Sequence, residues 1–405
     1  MRVSDSVYDN SVRGPLSGIR VLDAATLVAA PLAGCLLADY GAEVLKVEHP
    51  RGDPIRTFGA RKDDVSLWWK LLGRNKDCVS LDLSTPEGQE IFRRLAGEAD
   101  VVIENFRPGT FEKWGLDYDT LSAENPGLVM ARVTGYGQSG PYARRPGFGT
   151  AVEALSGVAA MTGDPHGPPV LPSFPMGDGV TGVMTAFAVL TALRARDRDG
   201  HGQVVDVSLW ESLLSVVGAY PTVHAALGTV PERRGNRSAG NAPRNTYRTK
   251  DGGWVAVSAP SRRIAERVMR LVGRPDLAEQ PWFGTGTGRK EHVEEIDEAV
   301  AAWVGARDRD DVVRAFEEAE AVVAPVYDFA DVAADPHLAH REALIDLPDP
   351  ELGSVRLQNV PFRLSRTPGA VRHAGGRLGG DNARVYGALG VDEDRVAELH
   401  REGVV

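Results

Sequence analysis

Short apolar runs alternate with segments of helical spacing along the first half of the chain. The apolar runs predict strands at residues 18–25, 42–50, 77–83, 99–106, 128–137 and 204–210. Helices are predicted at 31–40, 84–97, 150–160 and 180–196. Ser84 and Glu87 have the spacing of a capping box at the start of the second helix. Strands separated in this way form a parallel sheet, so the pattern predicts an α/β fold with a Rossmann-like open parallel sheet.

The pattern changes after about residue 225. A polar, glycine-rich stretch at 228–243 predicts a mobile loop, and 246–259 predicts a hairpin that turns at Asp251-Gly252-Gly253. Helical segments continue to about residue 320, and 354–365 predicts a further strand. We therefore predict a large α/β domain over 1–224, a smaller α+β domain over 225–325 and a C-terminal return segment over 326–405.

In an open parallel sheet, ligands bind where the strands end at their carboxyl edge. The predicted strands place the following residues there: His49-Pro50, Leu83-Ser84, Asn105-Phe106 and Gly135-Tyr136. This edge is where the sequence predicts a site.

Composition limits the possible partners. Hydrophobic residues make up 42% and charged residues 25% of the 405 residues, as in a globular protein, and the net charge is -10. An acidic chain argues against nucleic acid as the main partner, although local basic groups can still hold a small anion. Cys35 and Cys78 lack metal-ligand spacing and predict free thiols in a reducing compartment. The N-terminus has no secretory pattern, and the apolar run 182–193 is too short to span a bilayer, so we expect a cytoplasmic protein without a membrane partner.

Most familiar catalytic motifs are missing from the sequence. It has no GxGxxG after the first strand, no phosphate-binding loop of the Walker type and no GxSxG. His337 and His340 are three residues apart, but no cysteine or HExxH glutamate accompanies them, so no metal site is predicted.

One aspartate stands out in PMGDGVTGVMTAFAVLTAL, residues 175–193. Asp178 lies between two glycines just before a long apolar helix, where aspartate is a favoured N-cap. The same place suits chemistry: a helix N-terminus keeps a carboxylate ionised, and glycines let a ligand approach it. An ionised carboxylate is a possible covalent nucleophile. The residues alone leave both interpretations open.

Sequence blocks over nearly the whole chain carry a family resemblance. They are PLSGIRVLDAA, LLADYGAEVLKVEHPRGD, RNKDCVSLDLSTPEG, ADVVIENFRPG, WGLDYDTLSAENPGLVMARVTGYGQSGPY, MGDGVTG, GHGQVVDVSLWESLL and GGDNARVYGALG. Each block is modest, but their order and spacing together are specific. They resemble the class III CoA-transferases of the CaiB/BaiF type, a family that includes formyl-CoA transferase, carnitine CoA transferase and α-methylacyl-CoA racemase.

The resemblance implies an activity and a catalytic residue. It implies transfer of CoA between an acyl-CoA donor and a carboxylic acid acceptor, without a metal, in an interlocked homodimer. Asp178 occupies the family's catalytic position, where an aspartyl anhydride and then an aspartyl-CoA thioester would form. Backbone amides near Gly177–Gly179 or in the glycine-rich loop are expected to stabilise the oxyanions. The loop 235–241 matches the position of a family loop that shields the intermediate.

The resemblance also implies contacts with CoA. Carried over residue by residue, they are Val28, Ala29, His49, Leu81, Asp82, Ser84, Asn105, Phe106, Arg107, Lys113 and Phe148. Val28 replaces the glutamine of the formyl branch, which argues against oxalate and formate as substrates. Gly149 replaces an acidic residue that is common after the aromatic.

Two alternatives remain. Racemisation needs a histidine just after the RPG-like turn as a second base, and Pro146-Gly147-Phe148-Gly149 stands there instead. A non-catalytic acyl-CoA-binding protein is the other alternative, and the intact Asp178 argues against it.

Overall fold

The computed structural model describes residues 13–405 and is built around one parallel sheet. Its strands are β1 (Arg20–Asp23), β2 (Glu43–Glu48), β3 (Lys76–Ser80), β4 (Val101–Glu104), β5 (Val129–Thr134) and β6 (Val204–Ser208). They lie in the order β3-β2-β1-β4-β5-β6, and every neighbouring pair is parallel. The predicted Rossmann-like α/β fold is thereby confirmed, with the strand order reversing direction beside β1.

Helices cover both faces of this sheet. Those that position the site are α1 (Ala29–Asp39), α2 (Pro86–Gly97), α3 (Gly149–Leu155), α4 (Met176–Asp199) and α5 (Leu209–Leu214). Further helices in the same unit are Leu67–Leu72, Thr110–Lys113, Tyr118–Glu124, Asn382–Ala388 and Glu393–Arg401. One apolar layer joins the sheet to α1 and α4, and a second joins its other face to α2 and the C-terminal helices. Both faces of the strands are therefore buried, which is why they form apolar runs in the sequence.

Two helix starts differ from their predictions. The N-cap of α2 is Thr85, whose hydroxyl accepts from the Gly88 amide at 3.1 Å, rather than Ser84. Helix α4 begins at Met176, and Pro175 occupies its N-cap position. Asp178 consequently lies inside the first turn, and the capping role considered for it is not realised.

Helix α4 packs closely along α1. A Cβ atom at Gly182 would lie 2.8 Å from the carbonyl oxygen of Ala29, so a glycine is required where the two helices touch. By length and composition α4 is apolar enough to cross a membrane, but 44% of its apolar window is buried inside the protein. Buried side chains of α4 belong to the apolar core that also contains α1: Ala186, Val189, Ala192 and Leu193. The close packing of α4 along α1 holds the first turn of α4 near the start of α1.

The chain forms two compact units. Among the described residues, one comprises 13–157, 172–219 and 337–405, and the other comprises 158–171 and 220–336. The three domains predicted from the sequence, 1–224, 225–325 and 326–405, stay a prediction.

The second unit has its own sheet and core. Strands β7 (Arg244–Arg248), β8 (Trp254–Ser258) and β9 (Val323–Pro325) form an antiparallel sheet in the order β9-β8-β7, which confirms the hairpin. Its helices are Val158–Met161, Tyr220–Leu227, Arg262–Leu271, Pro275–Ala278, Gly286–Glu291, Val293–Gly305, Arg309–Glu318 and Phe329–Ala334. The helix Pro336–His340 spans the boundary to the first unit.

The C-terminal segment completes the first unit. Strands β10 (Leu344–Asp349) and β11 (Gly353–Gln358) form an antiparallel hairpin, of which the sequence predicted only the second strand. Further on, the side chain of Asp381 accepts from the Cys78 amide at 2.7 Å, and that of Asn382 accepts from the Ser80 amide at 2.9 Å. These bonds satisfy amides on the outer edge of β3, which would otherwise be an open sheet edge.

Candidate active site

A cleft of about 900 Å³ opens at the carboxyl edge of the main sheet, within the first unit. Its walls are the turns after β1 and β4, the end of β5 and the starts of α3 and α4. Its lining includes Val28, Asn105, Arg107, Arg145, Glu153 and Asp178, and the aromatic side chains on its wall are Phe58, Trp68, Phe106, Phe148 and Phe174. This is the edge at which the sequence predicted a site.

Asp178 is the half-buried carboxylate of this cleft. Burial and, to a smaller extent, the negative charge of Glu153 together raise its pKa to about 6, while a bond from its own amide opposes both. A helix N-terminus was expected to keep this carboxylate ionised. In the structure, burial and a like charge outweigh the helix end, yet at neutral pH the carboxylate is still mostly ionised.

Gly149 is the residue that lies closest against Asp178. A Cβ atom at Gly149 would be 2.2 Å from Oδ2 of Asp178 and 3.1 Å from its Cγ. The acidic residue that the resemblance led us to expect at 149 therefore has no space beside the carboxylate in this position. The departure from the family pattern is explained by this close approach.

Glu153 is the site residue that the sequence analysis missed. It lies on α3, is only 3% exposed, and its Oε1 accepts from the Gly177 amide of α4 at 2.9 Å. The only signal for it in the sequence is its position one helical turn after Gly149. The bond joins residues 24 positions apart, which no local pattern reveals.

The amides flanking Asp178 are already used. The Gly177 amide donates to Glu153, and the Gly179 amide donates to the carbonyl of Pro175 at 2.9 Å. The expectation that they stabilise oxyanions is therefore not supported for the free enzyme. The first turn of α1 also lines the cleft, and its N-cap residue Val28 makes no capping bond through its side chain.

The turn between β1 and α1 is held in an unusual conformation. Asn105 accepts from the Thr26 amide at 2.9 Å and donates to the Thr26 carbonyl at 2.8 Å. Leu27 has a φ of 65°, and its amide donates to Asp53 at 3.1 Å. The side-chain amide of Asn105, predicted to contact CoA, thus fixes the backbone next to Val28 and Ala29.

Buried ion pairs lie next to this turn. Lys76 lies 2.7 Å from Asp23, and Lys46 lies 3.2 Å from Asp53 and 3.7 Å from Asp23. Burial alone would raise the pKa of Asp23, but the charges of Lys46 and Lys76 hold it below its ordinary value. Such groups are costly to bury and are stable here only because each is paired.

The structure gathers some predicted contact residues and separates others. Those that line the cleft with Asp178 are Val28, Ala29, Asn105, Phe106, Arg107 and Phe148. Those that lie outside its lining are His49, Leu81, Asp82, Ser84 and Lys113. Asp82 holds part of this second group together, since it accepts from the Ser84 hydroxyl at 2.7 Å and lies 3.6 Å from His49. The CoA contacts of both groups stay predictions.

Fold and site together define a class of protein: a Rossmann-like α/β fold with a half-buried aspartate in a small-molecule cleft at the carboxyl edge of its sheet. A family model described as CoA-transferase family III matches residues 16–382. The chain therefore belongs to this family and is a CoA-transferase.

Similar proteins agree with this assignment. Succinyl-CoA–D-citramalate CoA-transferase of Chloroflexus aurantiacus is 41% identical over 96% of this chain and 98% of its own length. Succinate–glutarate CoA-transferase of Agrobacterium fabrum is 32% identical over 93% and 96% of the two chains. A crystal structure of a CaiB/BaiF family protein from Brucella suis has a TM-score of 0.84 at 31% identity, covering 93% of this chain and all of that one.

Proposed function

We propose that this protein transfers CoA from an acyl-CoA to a carboxylic acid through covalent intermediates on Asp178. The observation that carries the proposal is the half-buried Asp178 carboxylate in the cleft at the carboxyl edge of the sheet. With a pKa of about 6 it is ionised at neutral pH and more basic than an ordinary aspartate, and both properties favour nucleophilic attack.

The steps balance as follows. The Asp178 carboxylate attacks the thioester carbonyl, its oxygen forms a bond to the acyl carbon, and the C–S bond breaks to release CoA thiolate. The thiolate then attacks the aspartyl carbonyl of the anhydride, which gives an aspartyl-CoA thioester and releases the donor acid. The acceptor carboxylate repeats these steps in reverse. Two easier exchanges thereby replace one difficult one.

Two features of the cleft suit these intermediates. Burial of Asp178 limits access of water, which would hydrolyse both the anhydride and the thioester. We assign oxyanion stabilisation to the first-turn amides of α1, because that turn lines the cleft and first-turn amides have no acceptor within their helix. A shielding role for the loop 235–241 stays a prediction from the family resemblance.

Trapping with hydroxylamine tests the proposal against its alternatives. Incubation with an acyl-CoA should convert Asp178 to a hydroxamate, which peptide mass spectrometry locates. Racemisation would instead exchange the α-proton for deuterium without trapping, and mere binding would give neither. No histidine lines the cleft among the residues that the structure describes, which supports transfer over racemisation.

We further propose that the acids are dicarboxylic. The similar proteins named above act on succinyl-CoA, citramalate or glutarate, and Arg107 and Arg145 bring positive charge to the cleft. The Arg145 guanidinium lies 3.7 Å over the ring of Tyr142, which in turn stacks on Trp210 at 6.1 Å. Within residues 13–405 no carboxylate pairs with Arg145, so this stack holds a guanidinium ready for a second carboxylate.

Arg145→Gln should remove a preference for dicarboxylic donors. Succinyl-CoA and butyryl-CoA differ only in a terminal carboxylate against a methyl group, so we expect kcat/KM for succinyl-CoA to fall roughly 10- to 100-fold and that for butyryl-CoA to stay unchanged. Steady-state assays with both donors measure this. Arg144→Gln is the matched control, because Arg144 lines a different cavity. Equal losses with both donors in Arg145→Gln would contradict the assignment.

We propose a homodimer in the cytoplasm. Val183, Phe187 and Leu190 of α4 are 55%, 68% and 39% exposed and have the spacing of one helix face, which supports a partner subunit there. Phe187→Asp should convert the dimer to a monomer in sedimentation velocity at micromolar concentration, and a monomeric parent protein would refute the proposal.

The two free, buried thiols, Cys35 and Cys78, support a reducing compartment.

A further inference from the structure

We propose that Glu153 is a positioning residue that keeps Asp178 reactive, fixing the first turn of α4 and repelling the neighbouring carboxylate until that carboxylate is acylated. This inference rests on the proposed function, since it assigns Glu153 a part in the covalent cycle. It extends that function because Glu153 itself forms no bond to substrate.

Helix α3 touches the start of α4 at two places. Glu153 is almost fully buried on α3, and its Oε1 holds the Gly177 amide, one residue before Asp178, at 2.9 Å. Gly149 on the same helix lies directly against the Asp178 carboxylate. One short helix therefore contacts the nucleophile from the side and anchors the backbone that carries it. This is how a supporting residue restricts the position of a reactive group.

Glu153 has no cationic partner near Asp178 within residues 13–405. Among the described residues no lysine, arginine or histidine forms an ion pair with Glu153. The other charged side chains lining the cleft are Arg107 and Arg145, both exposed, and neither contributes to the pKa of Asp178. The starts of α1 and α4 bring no further charged side chain to the cleft than Asp178 itself. Glu153 is thus the charge that faces Asp178.

Acylation of Asp178 removes the electrostatic repulsion between its carboxylate and that of Glu153. The anhydride and the thioester at Asp178 are neutral, so each loses both the repulsion from Glu153 and the cost of a buried charge. The free carboxylate is raised in energy relative to its covalent forms. Glu153 should therefore increase the rate of the first attack and the fraction of enzyme that accumulates as thioester.

Two substitutions at one position separate anchoring from charge. Glu153→Gln keeps an oxygen acceptor for the Gly177 amide but removes the charge, whereas Glu153→Leu removes both. In single-turnover release of CoA from acyl-CoA, we expect the pH midpoint of Glu153→Gln to fall by about one unit, the scale of a like-charge neighbour. The enzyme-CoA thioester, quantified by intact-mass spectrometry at pH 7.5, should fall by about 10-fold.

The variant series has distinct outcomes. Glu153→Leu should slow single-turnover release of CoA more than Glu153→Gln does, because it also removes the hydrogen bond that anchors α4. Glu90→Gln, an exposed glutamate on α2, is the control that should leave both readouts unchanged. An unchanged midpoint in Glu153→Gln would overturn the inference even where adducts form.

Failure of the proposed function looks different. If the parent enzyme forms no covalent adduct at any pH, transfer through Asp178 is refuted. The charge coupling is then still measurable from the Asp178 carboxyl carbon by NMR titration of ¹³C-labelled protein. A parent midpoint near 6 that falls in Glu153→Gln supports the coupling, and coincident titrations refute it.

Discussion

Asp178→Asn is expected to reduce CoA transfer by a factor of about 10³ or more, the scale of losing a covalent nucleophile. The amide has nearly the size of the carboxylate but is a poor nucleophile, so neither the anhydride nor the thioester can form. Affinity for CoA should change little, because the walls of the cleft are intact. Steady-state transfer, adduct mapping by mass spectrometry and calorimetric titration with CoA measure these three properties.

The stability of Asp178→Asn shows whether this variant is folded. In the folded protein the pKa of Asp178 is raised from 3.8 to about 6, so ionisation destabilises the native state as pH rises through that interval. Asparagine has no such charge, and Asp178→Asn should therefore be more stable at pH 8, by up to about 3 kcal/mol. The gain should vanish below about pH 4. Transfer that survives near the parent level in this folded variant would remove Asp178 from the mechanism.

The sheet was predictable because its strands are buried on both faces. The run at residues 101–103 of β4 has no polar side chain to break it, and helical spacing marks each crossover. Strands β10 and β11 behave differently: the first, LIDLPD, carries Pro348 and two aspartates on a half-exposed hairpin. Its pattern is weak because only one face is covered, and the prediction missed it.

The position of Asp178 in its helix was harder to predict than its importance. The glycines around it favour a helix start, predicted at residue 180, but the helix begins four residues earlier at Met176. Chain-local signals define such boundaries only to within a few residues. The difference matters physically, because a first-turn aspartate points its carboxylate into the cleft instead of capping its own helix.

The supporting residues of the site could not be predicted from local pattern. Glu153 and Gly149 act through contacts with residues more than twenty positions away, and Asn105 acts through the turn after β1. In the sequence they look like a helix residue, a deviation from a family motif and a turn former. Their roles follow from tertiary contacts that exist only once α3, α4 and the β1–α1 turn meet.

Gly149→Ala should disable the enzyme without unfolding it. The added methyl group would come within 2.2 Å of Oδ2 of Asp178, far inside contact distance, so one of the two groups must move. The atom in its way is the end of a side chain, which rotates at little cost, and we therefore expect the carboxylate to leave its position. Misplacement by about 1 Å is sufficient to lower a covalent step by about 10²-fold. Single-turnover release of CoA measures the loss.

Gly387→Ala is the matched control for this substitution. Gly387 also lies in a helix, and a Cβ atom there meets nothing within 4 Å, so activity should stay at the parent level. Both variants gain helix propensity and should keep the parent melting temperature or exceed it slightly. A Gly149→Ala enzyme with normal CoA release would show that the carboxylate reacts from another position. The close approach of α3 to Asp178 would then be a matter of packing, and the missing side chain at 149 would have no part in catalysis.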